Sequence, residues 1–123
     1  MKTANNLDKY GTWALVAGAS EGLGAAFATA LAQRGKSLIL VARNNEKLNT
    51  LASTLRSQYK IETKAVRLDL SKKESISIIE NVLIEKDCRL LIYNAAYGPV
   101  KKFLENTPEE LDFYLDLNAR TPL

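Results

Sequence analysis

The sequence has no histidine and a single cysteine, Cys88, among its 123 residues. A lone thiol excludes an internal disulfide and suits a reducing compartment. Without histidine no zinc-ligand cluster can be assembled, so no metal site is expected. Long apolar runs are missing as well, since nothing approaches the roughly 18 apolar residues of a membrane helix. Residues 1 to 11, read as an N-terminal extension, lack the apolar core of a signal peptide. A cytoplasmic chain without membrane contact is the expectation. Charge of one sign is scarcely in excess, with 17 Lys and Arg against 14 Asp and Glu. The cations are scattered, Lys72-Lys73 and Lys101-Lys102 being the longest positive runs. That describes a solvated surface, and no nucleic-acid partner is expected. Internal repeats and low-complexity segments are absent. The balance, 46% hydrophobic and 25% charged, is that of one ordinary globular domain with a core.

What is present is organised around Thr12 to Arg34. Trp13-Ala14-Leu15-Val16-Ala17 is an apolar run suited to a strand buried on both faces. It runs into Gly18-Ala19-Ser20-Glu21-Gly22-Leu23-Gly24 and then an alanine-rich helix with Leu23, Phe27, Ala30 and Leu31 on one face. Glycines at a tight turn let backbone N–H groups approach a ligand without a Cβ in the way. The unpaired N–H groups and positive dipole end of the following helix converge on the same spot, which suits a phosphate or pyrophosphate.

The remainder alternates strand with helix. Ser37–Ala42 reads as a second buried strand, followed by a helix capped by Asn44 or Asn45 with Leu48, Leu51, Ala52 and Leu55 inward. Thr63 to Leu70 reads as a third strand, its Val66, Leu68 and Leu70 alternating. Ser71 and Glu74 have the spacing of a capping box, opening a helix that buries Ile76, Ile79 and Leu83. Arg89–Tyr93 reads as a fourth strand, and Asn94 to Asn106 as loop. Thr107, Pro108 and Glu110 then start a further helix as N-cap, N1 and N3. This alternation implies parallel βαβ units with helices on both faces of the sheet.

The Gly-x-x-x-Gly-x-Gly spacing of Gly18, Gly22 and Gly24, set between a buried strand and a helix, resembles the short-chain dehydrogenase/reductase family. The resemblance covers residues 12 to 123 and implies the N-terminal, nicotinamide-nucleotide-binding part of such a protein. The fold implied is α/β, a doubly wound, Rossmann-like parallel sheet in the order 3-2-1-4, truncated after the fourth strand and the helix that follows it. Gly18, Ser20, Gly22, Leu23 and Gly24 are then expected at the cofactor. An NAD-preferring site carries a carboxylate at the end of the second strand. Here Ala42-Arg43 stands there, so NADP(H) is expected over NAD(H), with Arg43 and the Ser20 hydroxyl on the 2′-phosphate. The resemblance also implies that Asp69-Leu70 lies against the adenine and that Asn94-Ala95, within Tyr93-Asn94-Ala95-Ala96, passes close to the ribose. Asn118, in Asn118-Ala119-Arg120-Thr121-Pro122-Leu123, matches a catalytic asparagine that holds a proton-relay water. The spacing Leu111, Tyr114, Leu115, Asn118 puts that amide on an inward stripe. Ordinary structural roles remain open for several of these: a strand-end acid for Asp69, a polar turn for Asn94, and a satisfied buried amide for Asn118.

The activity implied is hydride transfer between the nicotinamide and a small carbonyl or alcohol substrate. The family's catalytic serine and its tyrosine and lysine separated by three residues are not found. Tyr97 and Lys101 have that spacing, but Gly98 and Pro99 between them oppose a helix. The chain alone is therefore expected not to turn over, the other reading being a non-catalytic nucleotide-binding or interaction protein. The outer edge of the fourth strand has no evident partner, so self-association through it, or disorder from about Asn94 onward, is expected.

Overall fold

The computed structural model describes residues 6–123. Four strands form one parallel sheet in the order β3-β2-β1-β4, with β1 Trp13–Ala17, β2 Ser37–Ala42, β3 Thr63–Arg67 and β4 Cys88–Tyr93. The helices are α1 Gly22–Gln33, α2 Asn45–Tyr59, α3 Glu74–Leu83 and α4 Pro108–Leu115. This is the doubly wound, Rossmann-like arrangement expected, with the order reversing at β1.

Strand alternation sorts the core into two layers. Ala14, Val16, Leu38, Leu40 and Ala42 face α1 and α2, where Ala28, Leu31, Leu48, Ala52 and Leu55 meet them. Leu15, Ala17, Ile39 and Val41 face the opposite way, toward Leu70, Ile79, Leu83 and Leu117. With both faces covered, β1 and β2 have no polar side to show, and this is why they read as unbroken apolar runs.

Four local expectations change. The inward stripe of α1 is Gly24, Ala28, Leu31 and Ala32, while Leu23 and Phe27 are exposed. Small residues at i, i+4 and i+8 let the helix axis come close to the sheet, and that outweighs hydropathy. Strand β3 stops at Arg67, so Leu68 to Leu70 belong to the turn beyond it. No capping box opens α3: its N-cap is Lys73 without a side-chain bond, and the Ser71 hydroxyl instead donates to Asp69. Ile76 of α3 is exposed, and Ile79 and Leu83 are only partly covered. Elsewhere the local chemistry is as read: Asn44 Oδ1 accepts from Lys47 N at 3.0 Å, and Thr107 and Glu110 form a complete capping box.

Residues 1–5 of the N-terminal extension lie outside the described residues. The rest of it is docked rather than trailing. A 3-10 turn at Asp8–Tyr10 leads into Gly11, which bridges to Cys88, and the buried Lys36 ammonium donates to the Gly11 carbonyl. Trp13 starts β1 at this same end, with Lys86 Nζ 4.8 Å above its ring. No described strand pairs with the outer edge of β4, and Leu91 there is 55% exposed. Among the described residues no helix is long and apolar enough to cross a membrane, and no group of metal-ligating side chains converges.

Candidate functional site

The strand ends β1, β2 and β4 deliver their following turns to one place, as the reversal of strand order requires. A cleft of about 450 Å³ opens there, lined by Gly18, Ser20, Glu21, Arg43, Asn44, Asp69, Leu70, Asn94, Ala95 and Tyr97. Seven of the residues singled out from the sequence thus share one wall system: Gly18, Ser20, Arg43, Asp69, Leu70, Asn94 and Ala95. Gly22, Leu23 and Gly24 stand just behind as the first turn of α1, and Asn118 reaches the cleft only through Tyr97.

Close packing explains two of the glycines. A Cβ on Gly18 would lie 2.6 Å from Ala95 N, and one on Gly24 would lie 1.9 Å from Gly18 O and 3.1 Å from Asn94 Nδ2. The glycine turn is therefore pressed backbone to backbone against the Asn94-Ala95 turn. Gly22 differs: its φ is +59° and nothing would touch its Cβ, so conformation alone selects it. The N–H groups of Gly18 and Ala19 are engaged by the Val41 carbonyl at 2.8 and 3.2 Å. The donors left available to an anion are the first-turn N–H groups of α1, which have no intrahelical partner.

Charge around the cleft is uneven. Glu21, the N-cap of α1, is neutralised by Lys47 at 2.6 Å, whose hydrogen bond and charge hold its carboxyl below the usual range. Asp69 is half-buried. Burial pushes its carboxyl up, but donation from Ser71 Oγ at 2.6 Å and Ser71 N at 3.0 Å, with the charges of Arg43 and Lys72, leaves it below the ordinary 3.8. The Arg43 side chain makes no hydrogen bond or ion pair among the described residues, whereas the side chains of the other arginines are engaged. It is an unspent guanidinium on the rim of an anion-suited cleft.

The Asp69 shift has a measurable consequence. A carboxyl whose folded value is lowered contributes stability that is complete above 3.8 and disappears as pH falls through the folded value. A carboxyl-resolved NMR titration is expected to show Asp69 ionising below the ordinary aspartate value of 3.8. Asp69→Asn is expected to flatten the acid limb of stability; an unchanged limb would contradict the arrangement.

Asn118 is not on a buried stripe. After α4 the helix widens into a π-turn, Asp116–Arg120, closed by Thr121 N to Asp116 O at 3.0 Å. Leu117 faces inward, one regular turn after Phe113, while Leu115 and Asn118 of the expected stripe are exposed. The Asn118 amide is nonetheless fully used: Nδ2 donates to Tyr97 O at 2.7 Å and Oδ1 accepts from Tyr97 N at 3.1 Å. Asn118 thus fixes the loop that forms one lip of the cleft. Tyr93 contributes from β4, its hydroxyl donating to the Leu117 carbonyl at 2.6 Å. Neither contact was readable in advance, since each joins residues more than 20 apart with no local spacing to mark it. The Tyr97 and Lys101 pair is not helical, and Lys101 Nζ instead bonds Glu110 at 2.8 Å.

Comparison with known proteins agrees with this geometry. The family model described as short chain dehydrogenase matches residues 12–123. The chain is 36% identical over 109 residues to the human inactive hydroxysteroid dehydrogenase-like protein 1, covering 87% of this chain and 33% of that protein. A solved 7beta-hydroxysteroid dehydrogenase is similar with a TM-score of 0.91 and 33% identity, over 96% of this chain and 47% of that one. A short-chain dehydrogenase from Sphingobium yanoikuyae, solved in complex with NADPH, gives 0.80 and 34%, over 88% and 43%. The chain spans about a third to a half of the length of these proteins.

Proposed function

The chain belongs to the short-chain dehydrogenase family, and from that premise we propose that it forms the NADP(H)-binding part of an oxidoreductase acting on a carbonyl or alcohol. The observation that carries the reading is the unpaired Arg43 guanidinium beside a cleft with a helix N-terminus at its back. The first-turn N–H groups of α1 hold the pyrophosphate, with the helix dipole adding to the attraction. Arg43, with the Ser20 hydroxyl, receives the 2′-phosphate; Asp69 and Leu70 border the adenine; Asn94 and Ala95 border the ribose. Asn118 orders the Tyr97 loop at the nicotinamide end. When bound, the nicotinamide supplies or accepts a hydride at the carbon being reduced or oxidised.

Arg43→Ala tests the reading. A guanidinium–phosphate contact is worth roughly 1.5–3 kcal/mol, or about ten- to a hundredfold in affinity. The variant is expected to lose that factor for NADPH and almost none for NADH, followed by the enhancement of nucleotide fluorescence. Identical titration curves for both nucleotides with the unaltered chain would refute NADP(H) selectivity.

A second reading, a nucleotide-binding protein without turnover, is favoured by the likeness to a relative whose name calls it inactive. Nucleotide binding without oxidation of NADPH across a panel of ketones supports it; steady oxidation rejects it.

A further inference from the structure

We propose that Arg67, at the end of β3, is a positioning residue for Arg43 and so sets the preference of the cleft for a 2′-phosphorylated nucleotide. The inference rests on the NADP(H) reading above and concerns how that selectivity is built. Arg67 stands opposite Ala42 in the β2–β3 pairing. Its Nε–H donates to the Arg43 carbonyl at 3.2 Å. That bond is the middle one of three in succession at the exit of β2. The Ala42 carbonyl accepts from Leu68 N at 3.1 Å, and Asn44 Oδ1 accepts from Lys47 N at 3.0 Å. The Arg43 backbone is therefore pinned from β3 on one side and from α2 on the other, while its own side chain is left unbonded.

The arrangement makes sense of an otherwise unused side chain. A long exposed guanidinium loses rotamer freedom when it folds over a neighbouring strand end, and here it does so to hold one carbonyl. Its remaining N–H groups form no ion pair among the described residues, and they share with Arg43 and Lys72 a groove contiguous with the cleft. Asp69 and Glu74 line the same groove, so its net charge is small. Positioning of Arg43, rather than a separate anion site, is what the bonding supports.

The test uses the whole chain with Arg67→Met, Arg67→Gln and Arg43→Ala, titrated with NADPH and with NADH. Methionine keeps the apolar reach of the side chain and removes both donor and charge. Glutamine restores an uncharged N–H donor. Arg67→Met is expected to weaken NADPH by up to about fivefold, the most that one lost hydrogen bond transmits, and to leave NADH unchanged. Arg67→Gln is expected to recover most of the loss. Arg67→Met binding NADPH as the unaltered chain does, while Arg43→Ala loses selectivity, overturns this inference and leaves the nucleotide reading intact. Arg67→Gln as weak as Arg67→Met overturns positioning in favour of charge alone. Equal binding of both nucleotides by the unaltered chain, insensitive to Arg43→Ala, overturns the nucleotide reading and this inference together.

Discussion

Gly24→Ala is expected to destabilise the chain by about 3 kcal/mol and to abolish measurable nucleotide binding, although it adds a single methyl group. The methyl would stand 1.9 Å from the Gly18 carbonyl oxygen and 2.8 Å from its carbon, and both atoms are backbone that cannot rotate away. Relief requires α1 to withdraw from the turn. Withdrawal would strip Ala28 and Ala32 of their seat on β1 and β2 and move the N–H groups of the first turn off the cleft. For a domain of this size the melting temperature is expected to drop by roughly 10 °C. Gly22→Ala is the control within the same turn. No neighbour meets its Cβ, so only the left-handed backbone is penalised, by about 1 kcal/mol. Calorimetry on the two variants separates crowding from conformation; equal losses would mean the close approach of Gly24 to Gly18 is not real.

Ile39→Ala is expected to cost a similar amount, roughly 2–5 kcal/mol, and to leave the preference for NADPH over NADH unchanged below its melting transition. Ile39 is fully buried in the middle of β2, facing Leu15, Leu70 and Leu117 on the α3 side of the sheet. Truncation leaves a cavity in a layer whose backbone is held by ladders to β1 and β3 on both sides, so collapse is limited. Arg43 lies four residues further along and its carbonyl is pinned independently, so the Arg43 end of the cleft is held apart from the cavity, which opens behind Leu70 and Leu117 of the lining. Together, Gly24→Ala and Ile39→Ala distinguish a loss of binding caused by geometry from one caused by instability. If Ile39→Ala bound NADPH as poorly as Gly24→Ala, the cleft would be coupled to the core far more tightly than the bonding indicates.

The sheet was legible because its strands are buried on both faces and so announce themselves as apolar runs. The caps at Asn44 and Thr107 were legible because their partners lie three residues away. The cleft could be assembled from Gly18, Ser20, Arg43, Asp69 and Asn94 because parallel topology sends all these strand ends to one side. What failed was decided by choices between rival partners and by packing, neither of which spacing alone reveals. Ser71 had a plausible partner in Glu74, yet Asp69, two residues back, took its hydroxyl. Leu23 and Phe27 outrank Gly24 and Ala28 in hydropathy, yet the smaller pair faces the sheet because closeness matters more than apolar area there. The inward stripe through Leu115 and Asn118 was misplaced, since the helix turns Phe113 and Leu117 inward instead.

The chain's only tryptophan, Trp13, opens β1 at the end of the sheet away from the cleft, about 13 Å of strand rise before Ala17. Optically this makes the indole a remote observer. Its emission follows the local surroundings of Lys86 and the start of the sheet, and does not change through direct contact with a nucleotide. Quenching on addition of a reduced nicotinamide would arise by energy transfer across the sheet, and the oxidised form, which does not absorb in the indole emission band, would leave the signal dark to binding. The same fluorophore therefore reads unfolding in any state and occupancy in only one redox state.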